Sequence, residues 1–326
     1  MTRAIVAVEK GQPAQLTEVH IATPNEGEIL IDVTHSSVNY KDGSAITGRP
    51  GVVRRWPLVL GIDAVGIVLE SASTAFTVGD RVVLNGAGAG ETRDGGYSRR
   101  MLAPADSLVR IPDRISLAQA AAIGTAGFTA ALAVLAIADH TVAPAGEILV
   151  TGAAGGVGSI AISLLARRGY RVVASTGRGE VEGAYLAALG ASRVIDRAEL
   201  SATIAAPLQE RRWSAAVDGV GSHTLVNALA QTGYGGIVVS YGLAQGADLP
   251  GTVLPFILRA VTLAGANSVD APLALRERGW ALLGDELDLD ALDAMSRTVG
   301  LTDIAEVAAQ ILAGQVRGRT VVDLSL

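Results

Sequence analysis

The sequence predicts an α/β protein with two domains: a doubly wound parallel domain in the middle of the chain and a β-rich domain that contains both ends. Three patterns lead to this prediction: alternating strand and helix segments over about 147–240, short strands separated by turn residues before about 120, and a final strand over 319–324. At 326 residues, the chain is long enough for two domains.

The composition restricts the classes of function. Hydrophobic residues make up 49% and charged residues 18%, which is enough for a sizeable core. The net charge is −6 without a basic block, so neither nucleic acid nor an anionic membrane is expected as a partner. The chain has no cysteine, and its four histidines are scattered, which excludes thiolate catalysis and argues against a zinc or other metal site.

The first part of the chain reads as a series of short strands. Strands are expected over 4–8 and 28–34, over the glycine-containing stretch 56–68 and after the turn at 76–80. Two further features are the polar segment 36–42, where Lys41 and Asp42 are candidates to pair, and the glycine-rich loop 86–96.

The segment 115–138 contains no charged residue over 24 positions. Alanine is frequent and two glycines interrupt it, so we expect two pieces of buried helix rather than a membrane span. Met1 to Arg3 lead directly into a strand pattern, and no signal peptide is visible.

A dinucleotide fingerprint follows the strand Ile148-Leu149-Val150. Residues 156–161 match G-x-G-x-x-A, between that strand and a helix over 159–168. In this pattern Gly156 makes the tight turn, Gly158 admits the pyrophosphate and Ala161 lets the helix lie close to the strand. The helix N-terminus then offers free N–H groups to phosphate.

The second strand, Arg171 to Ser175, indicates which dinucleotide binds. NAD sites usually carry Asp or Glu about 20 residues after the first glycine, to hold the ribose 2′-hydroxyl. Here that region reads Ser175-Thr176-Gly177-Arg178, without an acid. Arg178, with Arg197 after the next strand, suits a 2′-phosphate, so the sequence predicts NADPH.

The alternation then continues to the end of the domain. The expected elements are helices over 180–189, 223–230 and 255–261 and strands over 193–195, 215–218, 236–240 and 262–266. Beyond them the pattern predicts helices over 271–284 and 303–313.

Several motifs carry a resemblance over nearly the whole chain. They are Ser37-Val38-Asn39-Tyr40-Lys41-Asp42, Gly61-Ile62-Asp63, the run 124–130, the glycine turn 150–158 and Pro255-Phe256-Ile257-Leu258-Arg259. With these motifs the chain resembles the acryloyl-CoA reductase branch of the medium-chain dehydrogenase/reductase superfamily, long labelled quinone oxidoreductases of the YhdH/YhfP type.

The resemblance implies a fold and a set of site residues. The expected fold is a GroES-like β-rich catalytic domain, 1–121 with 259–326, plus a Rossmann NADP-binding domain, 122–258, usually in a cytoplasmic homodimer. The residues expected to bind NADPH are Tyr40, Ala154, Gly155, Gly156, Val157, Gly158, Thr176, Gly177, Arg178, Arg197, Leu243, Ile257 and Ser268.

The implied activity is zinc-independent, NADPH-dependent reduction of acryloyl-CoA to propanoyl-CoA, which makes the protein an oxidoreductase acting on CH–CH groups. Hydride addition to the β-carbon leaves charge on a carbonyl oxygen that needs hydrogen-bond donors, and the α-carbon then needs a proton. Tyr40 is the candidate to donate the proton or to fix the nicotinamide, Asn39 the candidate partner of the carbonyl, and Arg259 a candidate for the coenzyme A phosphates. The alternative for the pair 39–40 is a structural turn, and the alternative for Arg259 is a surface arginine at a helix end.

Two other function classes remain open. One is an NADPH-dependent quinone or enone oxidoreductase, which uses the same hydride chemistry on a small molecule without coenzyme A. The other is a non-catalytic NADPH-binding protein, against which the intact polar segment 36–42 argues.

Overall fold

The computed structural model describes residues 1–140, 146–203 and 206–326. These residues form two compact units. The first unit contains residues 1–128, 268–285 and 289–326, and the second contains 129–267 and 286–288.

The N-terminal part of the first unit is mostly β-structure, as its turn-rich sequence predicts. Its elements in chain order are β1 (Thr2–Ala7), β2 (Gln15–Val19), β3 (Glu28–Ser37), α1 (Tyr40–Ile46), β4 (Leu58–Val59), β5 (Asp63–Ser71), β6 (Arg81–Asn85), β7 (Arg100–Pro104) and β8 (Leu108–Arg110).

A long helix and the alternating region follow. Their elements are α2 (Leu117–Asp139), β9 (Glu147–Thr151), α3 (Gly156–Arg167), β10 (Arg171–Thr176), α4 (Gly179–Ala188), β11 (Ala191–Asp196), α5 (Ala198–Ser201), β12 (Trp213–Asp218), α6 (Ser222–Gln231), β13 (Thr232–Ser240), α7 (Leu254–Arg259) and β14 (Thr262–Gly265).

The C-terminal elements return to the first unit. They are α8 (Leu273–Glu286), α9 (Leu289–Ala294), β15 (Ser296–Gly300), α10 (Ile304–Leu312) and β16 (Arg319–Asp323). The last strand pairs antiparallel with β3, with Val322 opposite Ser36, so the predicted return of the chain end is confirmed.

The first unit contains two sheets. A seven-stranded sheet runs β15-β16-β3-β5-β6-β8, with β7 also pairing β3, and a three-stranded sheet runs β2-β1-β4. Gly66 on β5 shows why glycines punctuate this region, because a Cβ there would lie 2.1 Å from the carbonyl oxygen of Asp32 on β3.

The second unit is the predicted doubly wound parallel domain. Its six strands run β11-β10-β9-β12-β13-β14, and every neighbouring pair is parallel. Strand order reverses between β9 and β12, which creates the switch point where ligands bind in open α/β sheets.

Two sequence expectations need correction or refinement. The predicted boundaries at 121/122 and 258/259 are both shifted: residues 122–128 belong to the first unit, and residues 259–267 belong to the second, where β14 completes the parallel sheet by pairing with β13. The uncharged segment forms helix α2, with a mean hydropathy of 2.0 and 89% of its most apolar window buried, as in the core of a folded protein. Gly124 divides this helix as expected, with non-helical angles of φ 48° and ψ −159°.

Candidate functional site

The glycine-rich turn of the second unit joins β9 to α3 at the carboxyl end of the sheet. The left-handed residue is Gly152, with φ of 59°, whereas Gly156 is the first residue of α3, so the tight turn was assigned to the wrong glycine. A Cβ on Gly158 would lie 2.5 Å from the carbonyl oxygen of Gly152. Gly158 is therefore required because the helix approaches its own turn, and Ala161 is fully buried behind it.

The first turn of α3 provides the backbone donors that a pyrophosphate needs. Gly155 caps the helix in an extended conformation, and the N–H groups at the start of a helix have no intrahelical acceptor. Gly155, Gly156 and Val157 are partly exposed, whereas Ala154 is buried. The predicted turn thus presents N–H groups and the positive end of a 12-residue helix to solvent, and it fits a dinucleotide phosphate.

The predicted 2′-phosphate residues lie together at the end of β10. Arg197 lies against Gly177, since a Cβ on that glycine would be 2.5 Å from the Arg197 Nε. The backbone N–H of Arg197 donates to the Thr176 carbonyl at 3.1 Å, and the Thr176 hydroxyl accepts from the Arg178 N–H at 3.2 Å. The Arg178 guanidinium also lies 3.6 Å from the carboxylate of the buried Glu182. Of the two arginines, Arg197 is the more exposed.

A buried polar cluster at the switch point was not predicted from the sequence. The Thr151 hydroxyl at the end of β9 donates to Asp218 at the end of β12, at 2.6 Å. Asp218 also accepts the Gly221 N–H at 2.9 Å, and burial raises the pKa of its carboxyl. The cluster fixes the two strand ends that border the switch point.

The later predicted contacts in this unit, Leu243 and Ile257, are both exposed. Leu243 is 65% and Ile257 is 67% exposed, so both apolar side chains are open to a ligand.

Arg259 has a different environment from the one predicted. It is 9% exposed, and its guanidinium donates to the carbonyls of Ala230 at 2.8 Å, Thr232 at 3.3 Å and Gln209 at 2.6 Å. These backbone acceptors take three of the five N–H donors and hold the side chain inside the unit, which argues against the predicted contact with coenzyme A phosphates.

The first unit carries the remaining predicted residues, Asn39, Tyr40 and Ser268. Tyr40 is the first residue of α1 and is 57% exposed, so its phenol is open to solvent. The polar segment 36–42 therefore ends in a helix start, which the sequence did not predict. Lys41 does not pair with Asp42, because its ammonium lies 2.8 Å from Glu91.

The Asn39 side chain is engaged within the protein. Its amide donates to Asp63 at 2.8 Å and to Asp42 at 3.0 Å, while its oxygen accepts from Arg319 at 3.1 Å. An amide has two donors and one acceptor group, so these partners use its capacity. The arrangement favours the structural alternative for Asn39 over the predicted contact with a substrate carbonyl.

Asp63 is the centre of this network and is fully buried at the start of β5. Its carboxylate accepts from the Ser37 hydroxyl at 2.6 Å, the Asn39 amide at 2.8 Å and the Asn85 amide at 2.7 Å. It also accepts from Thr125, through the backbone N–H at 2.9 Å and the hydroxyl at 2.7 Å. A buried carboxylate needs this many donors to offset the loss of hydration.

Asp42 is a second buried carboxylate in the same region. Its oxygens accept the backbone N–H groups of Asn39 and Ile62, each at 2.9 Å, which ties the start of α1 to the segment before β5. Burial and the neighbouring Asp63 raise the pKa of Asp42 to about 7, against the hydrogen bonds that favour the carboxylate.

Arg319 provides the compensating cation from β16. It donates to the carbonyl of Ala122, the oxygen of Asn39 and the hydroxyl of Ser37. Burial lowers the pKa of Arg319, whereas the charge of Asp63 raises it.

The kink in α2 belongs to the same network. A Cβ on Gly124 would lie 2.7 Å from the Asp63 carboxylate and 2.8 Å from both Arg319 and the Ser37 hydroxyl. With its positive φ as well, this position requires glycine.

A further branch of hydrogen bonds reaches the segment that carries Ser268. Asn85, which donates to Asp63, accepts at its side-chain oxygen from Trp280 at 3.0 Å. The Arg276 guanidinium bridges the carbonyls of Asn85 at 2.6 Å, Val269 at 2.7 Å and Ser268 at 3.3 Å. The backbone positions of Tyr40 and Ser268 are thus linked through buried groups that came from distant parts of the sequence.

Comparison with protein-family models gives two matches. The alcohol dehydrogenase GroES-like domain matches residues 25–113, and the zinc-binding dehydrogenase model matches residues 156–281. The name of the second model refers to zinc, but this chain contains no cysteine that could serve as a zinc ligand.

Individual proteins are similar over nearly the full chain. Acrylyl-CoA reductase AcuI of Ruegeria pomeroyi is 47% identical over 300 residues, which cover 92% of this chain and 91% of that protein. The putative quinone oxidoreductase YhfP of Bacillus subtilis is 41% identical, covering 99% of this chain and 100% of that protein.

Solved structures show the same fold. The YhdH oxidoreductase from Salmonella enterica, in complex with NADP, has a TM-score of 0.95 at 41% identity and covers 99% of this chain and 100% of its own. Bacillus subtilis YhfP with NAD bound has a TM-score of 0.94 at 40% identity, with 99% of each chain covered. The chain therefore belongs to the medium-chain dehydrogenase/reductase superfamily, in the branch that contains the acrylyl-CoA reductases and the YhdH/YhfP proteins.

Proposed function

We propose that the protein is a zinc-independent, NADPH-dependent reductase of activated C=C bonds, which converts acryloyl-CoA to propanoyl-CoA. The observation that carries the proposal is the 47% identity to an acrylyl-CoA reductase across 92% of the chain. Two features of the structure agree with it. One is the glycine-rich turn between β9 and α3 in the second unit, hereafter the phosphate turn, and the other is the buried network around Asp63 in the first unit.

When bound, NADPH supplies a hydride. The first turn of α3 holds its pyrophosphate, while Thr176, Arg178 and Arg197 hold the 2′-phosphate. Arg197 is the stronger candidate of the two arginines because it lies over Gly177, whereas Arg178 approaches Glu182.

The substrate needs a donor for its carbonyl oxygen and a proton for its α-carbon. Of the two residues predicted for these tasks, Tyr40 has an exposed phenol, whereas the Asn39 amide is engaged with carboxylates and Arg319. Tyr40 therefore provides the proton or the hydrogen bond, and Asn39 positions the start of α1 on which Tyr40 stands.

The second candidate function is an NADPH-dependent quinone or enone oxidoreductase. It is favoured by the similarity to YhfP, which is described as a putative quinone oxidoreductase. Both candidates use the same hydride transfer, and they differ in whether a coenzyme A group improves the substrate.

The test is NADPH oxidation, followed by absorbance, with acryloyl-CoA, crotonyl-CoA, acrylate and a simple quinone, and with NADH in parallel. We expect the highest kcat/KM with acryloyl-CoA and NADPH, and a large loss with acrylate. Equal rates with the quinone would favour the second candidate. Binding of NADPH without turnover of any of these compounds would contradict both candidate functions and would favour a non-catalytic NADPH-binding protein.

A cytoplasmic homodimer is part of the proposal. Strand β14 is an edge of the six-stranded sheet, and the neighbouring Val253 and Leu258 expose apolar side chains, which suits pairing with a second copy. Light scattering of the purified protein measures the assembly, and a monomer at micromolar concentration would contradict it. Fractionation of cells, with the protein recovered in the membrane pellet or outside the cytoplasm, would contradict the location.

A further inference from the structure

A coenzyme A substrate needs a cationic surface, and Arg259 is held by backbone carbonyls instead. We propose that Arg54 and Arg93 of the first unit form the site that binds the phosphates of coenzyme A. This inference rests on the proposed function and identifies the subsite that recognises the carrier part of the substrate.

The first observation is the link between these arginines and Tyr40. Lys41, which follows Tyr40 in α1, places its ammonium 2.8 Å from the Glu91 carboxylate. The backbone carbonyl of the same Glu91 accepts the N–H of Arg54 at 2.9 Å. The segments around 54 and 91 therefore lie against the start of the helix that carries Tyr40.

The second observation is that the glycine-rich loop holds Arg93 in a tight turn. The backbone N–H groups of Glu91, Thr92 and Arg93 all donate to the carbonyl of Gly88, at 3.1, 2.9 and 2.9 Å. Gly88 itself has φ of 82°, which favours glycine. The glycine-rich loop 86–96 has no proposed role in binding the dinucleotide. It does fix the backbone position of the exposed Arg93.

The third observation is the local charge. Lys41 pairs with Glu91, and Arg55 pairs with Asp94 at 3.1 Å while also donating to the Thr92 carbonyl. Arg54 and Arg93 are exposed and form no ion pair within residues 1–140, 146–203 and 206–326. Two uncompensated positive charges remain here, on a protein whose net charge is −6.

The chemistry of the ligand matches this placement. Coenzyme A carries a diphosphate and a 3′-phosphate, separated from the thioester by the long pantetheine arm. Its phosphates must therefore bind beside the reacting position rather than at it. Arg54 and Arg93 lie on segments that Glu91 joins to the start of α1, and guanidinium groups bind phosphate through paired hydrogen bonds and steer anions toward the site.

The kinetic test compares acryloyl-CoA with acryloyl-N-acetylcysteamine, a thioester that has no phosphate. For acryloyl-CoA we expect KM to rise about fivefold in Arg54→Ala and in Arg93→Ala, and about twentyfold in the double variant, with little change in kcat. The KM values for NADPH and for the truncated thioester stay unchanged. Arg54→Lys recovers part of the affinity because it keeps the charge.

The matched control is Arg211→Ala. Arg211 is also exposed, but it lies at the amino end of β12 in the second unit, whereas the phosphate turn lies at the carboxyl end of that sheet. This control keeps the wild-type KM for both thioesters. A double variant with an unchanged KM for acryloyl-CoA, or with a raised KM for NADPH, would overturn the proposal.

Product-like inhibitors measure the phosphate site without turnover. Free coenzyme A and 3′-dephospho-coenzyme A compete with acryloyl-CoA, and the double variant weakens inhibition by coenzyme A at least tenfold. Unaltered inhibition would overturn the inference alone. If the wild-type protein does not reduce acryloyl-CoA but reduces the quinone, the proposed function fails first, and calorimetric titration with coenzyme A then decides whether the two arginines bind it.

Discussion

The network around Asp63 in the first unit and the phosphate turn of the second unit use charge in opposite ways. Around Asp63, two carboxylates and the Arg319 guanidinium are buried among side chains from several elements. At the phosphate turn, the backbone of one βαβ unit provides the donors, and Arg197 remains exposed at the surface.

This difference separates stability from binding. Burying a charge destabilises the folded state unless all of its hydrogen-bonding and charged partners are present. We therefore expect the network around Asp63 to form and to break cooperatively. Near the phosphate turn, Arg197 is exposed and Arg178 is partly exposed with one acidic neighbour, Glu182, so both are accessible to a ligand. Changes in the first region should therefore alter folding, and changes in the second should alter affinity.

Asp63→Asn gives the largest expected effect. The amide brings N–H donors against those of Thr125 and Asn85 and removes the carboxylate that most strongly compensates the charge of Arg319. The free energy of unfolding should therefore fall by about 3–5 kcal/mol. Denaturant titration measures this value. The control is Glu199→Gln, which breaks an exposed pair with Arg212 and should cost less than about 1 kcal/mol. Similar losses in both variants would contradict the contrast.

Asp42→Asn tests the raised pKa of the second buried carboxyl group through the pH dependence of the free energy of unfolding. Burial and Asp63 raise the pKa of Asp42 from 3.8 to about 7, so the folded protein holds a proton that the unfolded chain releases. Between these two values the wild type should lose stability as pH rises, by about 1.4 kcal/mol per pH unit relative to the variant.

The measurement is the free energy of unfolding of both proteins between pH 4 and pH 8. The other ionisable groups that face Asp42 are Asp63, Arg319 and the buried Tyr97, and both proteins retain them. Parallel pH profiles would show that Asp42 is ionised throughout and that its hydrogen bonds outweigh burial.

Arg197→Ala should weaken NADPH without unfolding the protein. Loss of a charged hydrogen bond to the 2′-phosphate costs about 2 kcal/mol, so the KM for NADPH should rise roughly thirtyfold, with the KM for NADH unchanged. Thermal unfolding should be close to that of the wild type, because the side chain is exposed. A large loss of stability would show that this arginine also supports the fold.

Arg178→Ala should give the smallest effect, about threefold on the KM for NADPH. Its guanidinium lies 3.6 Å from Glu182, so part of its charge is already compensated. Glu182→Gln is the matched variant, and it should strengthen NADPH binding by releasing Arg178. An effect of Arg178→Ala as large as that of Arg197→Ala would reverse this ranking.

The sequence predicted the second unit well because its information is local. Strand, turn, helix and strand follow one another within about 30 residues, and the missing acid after β10 could be read directly. The wrong prediction in this unit concerns backbone dihedral angles, because Gly152, rather than Gly156, adopts the left-handed conformation.

The first unit was predicted less completely because its contacts are not local. Asp63 and Arg319 are separated by most of the chain, and nothing in either segment indicates the other. Strand β2 was missed because its residues are largely exposed and show no alternation, and α1 was missed because its short polar sequence resembles a loop. Arg259 looked like a surface residue, since its carbonyl acceptors come from segments that precede it by 27 to 50 positions.

Gly124 has a consequence for how this chain can vary. By interrupting α2, it creates a second helix start inside one apolar segment, and the N–H of Thr125 faces a buried carboxylate there. Any side chain at 124 would meet Asp63, Arg319 and Ser37 at once, so no compensating change at a single neighbour can make room. A saturation library should therefore return glycine alone at this codon, even among variants that accept many substitutions elsewhere in the helix.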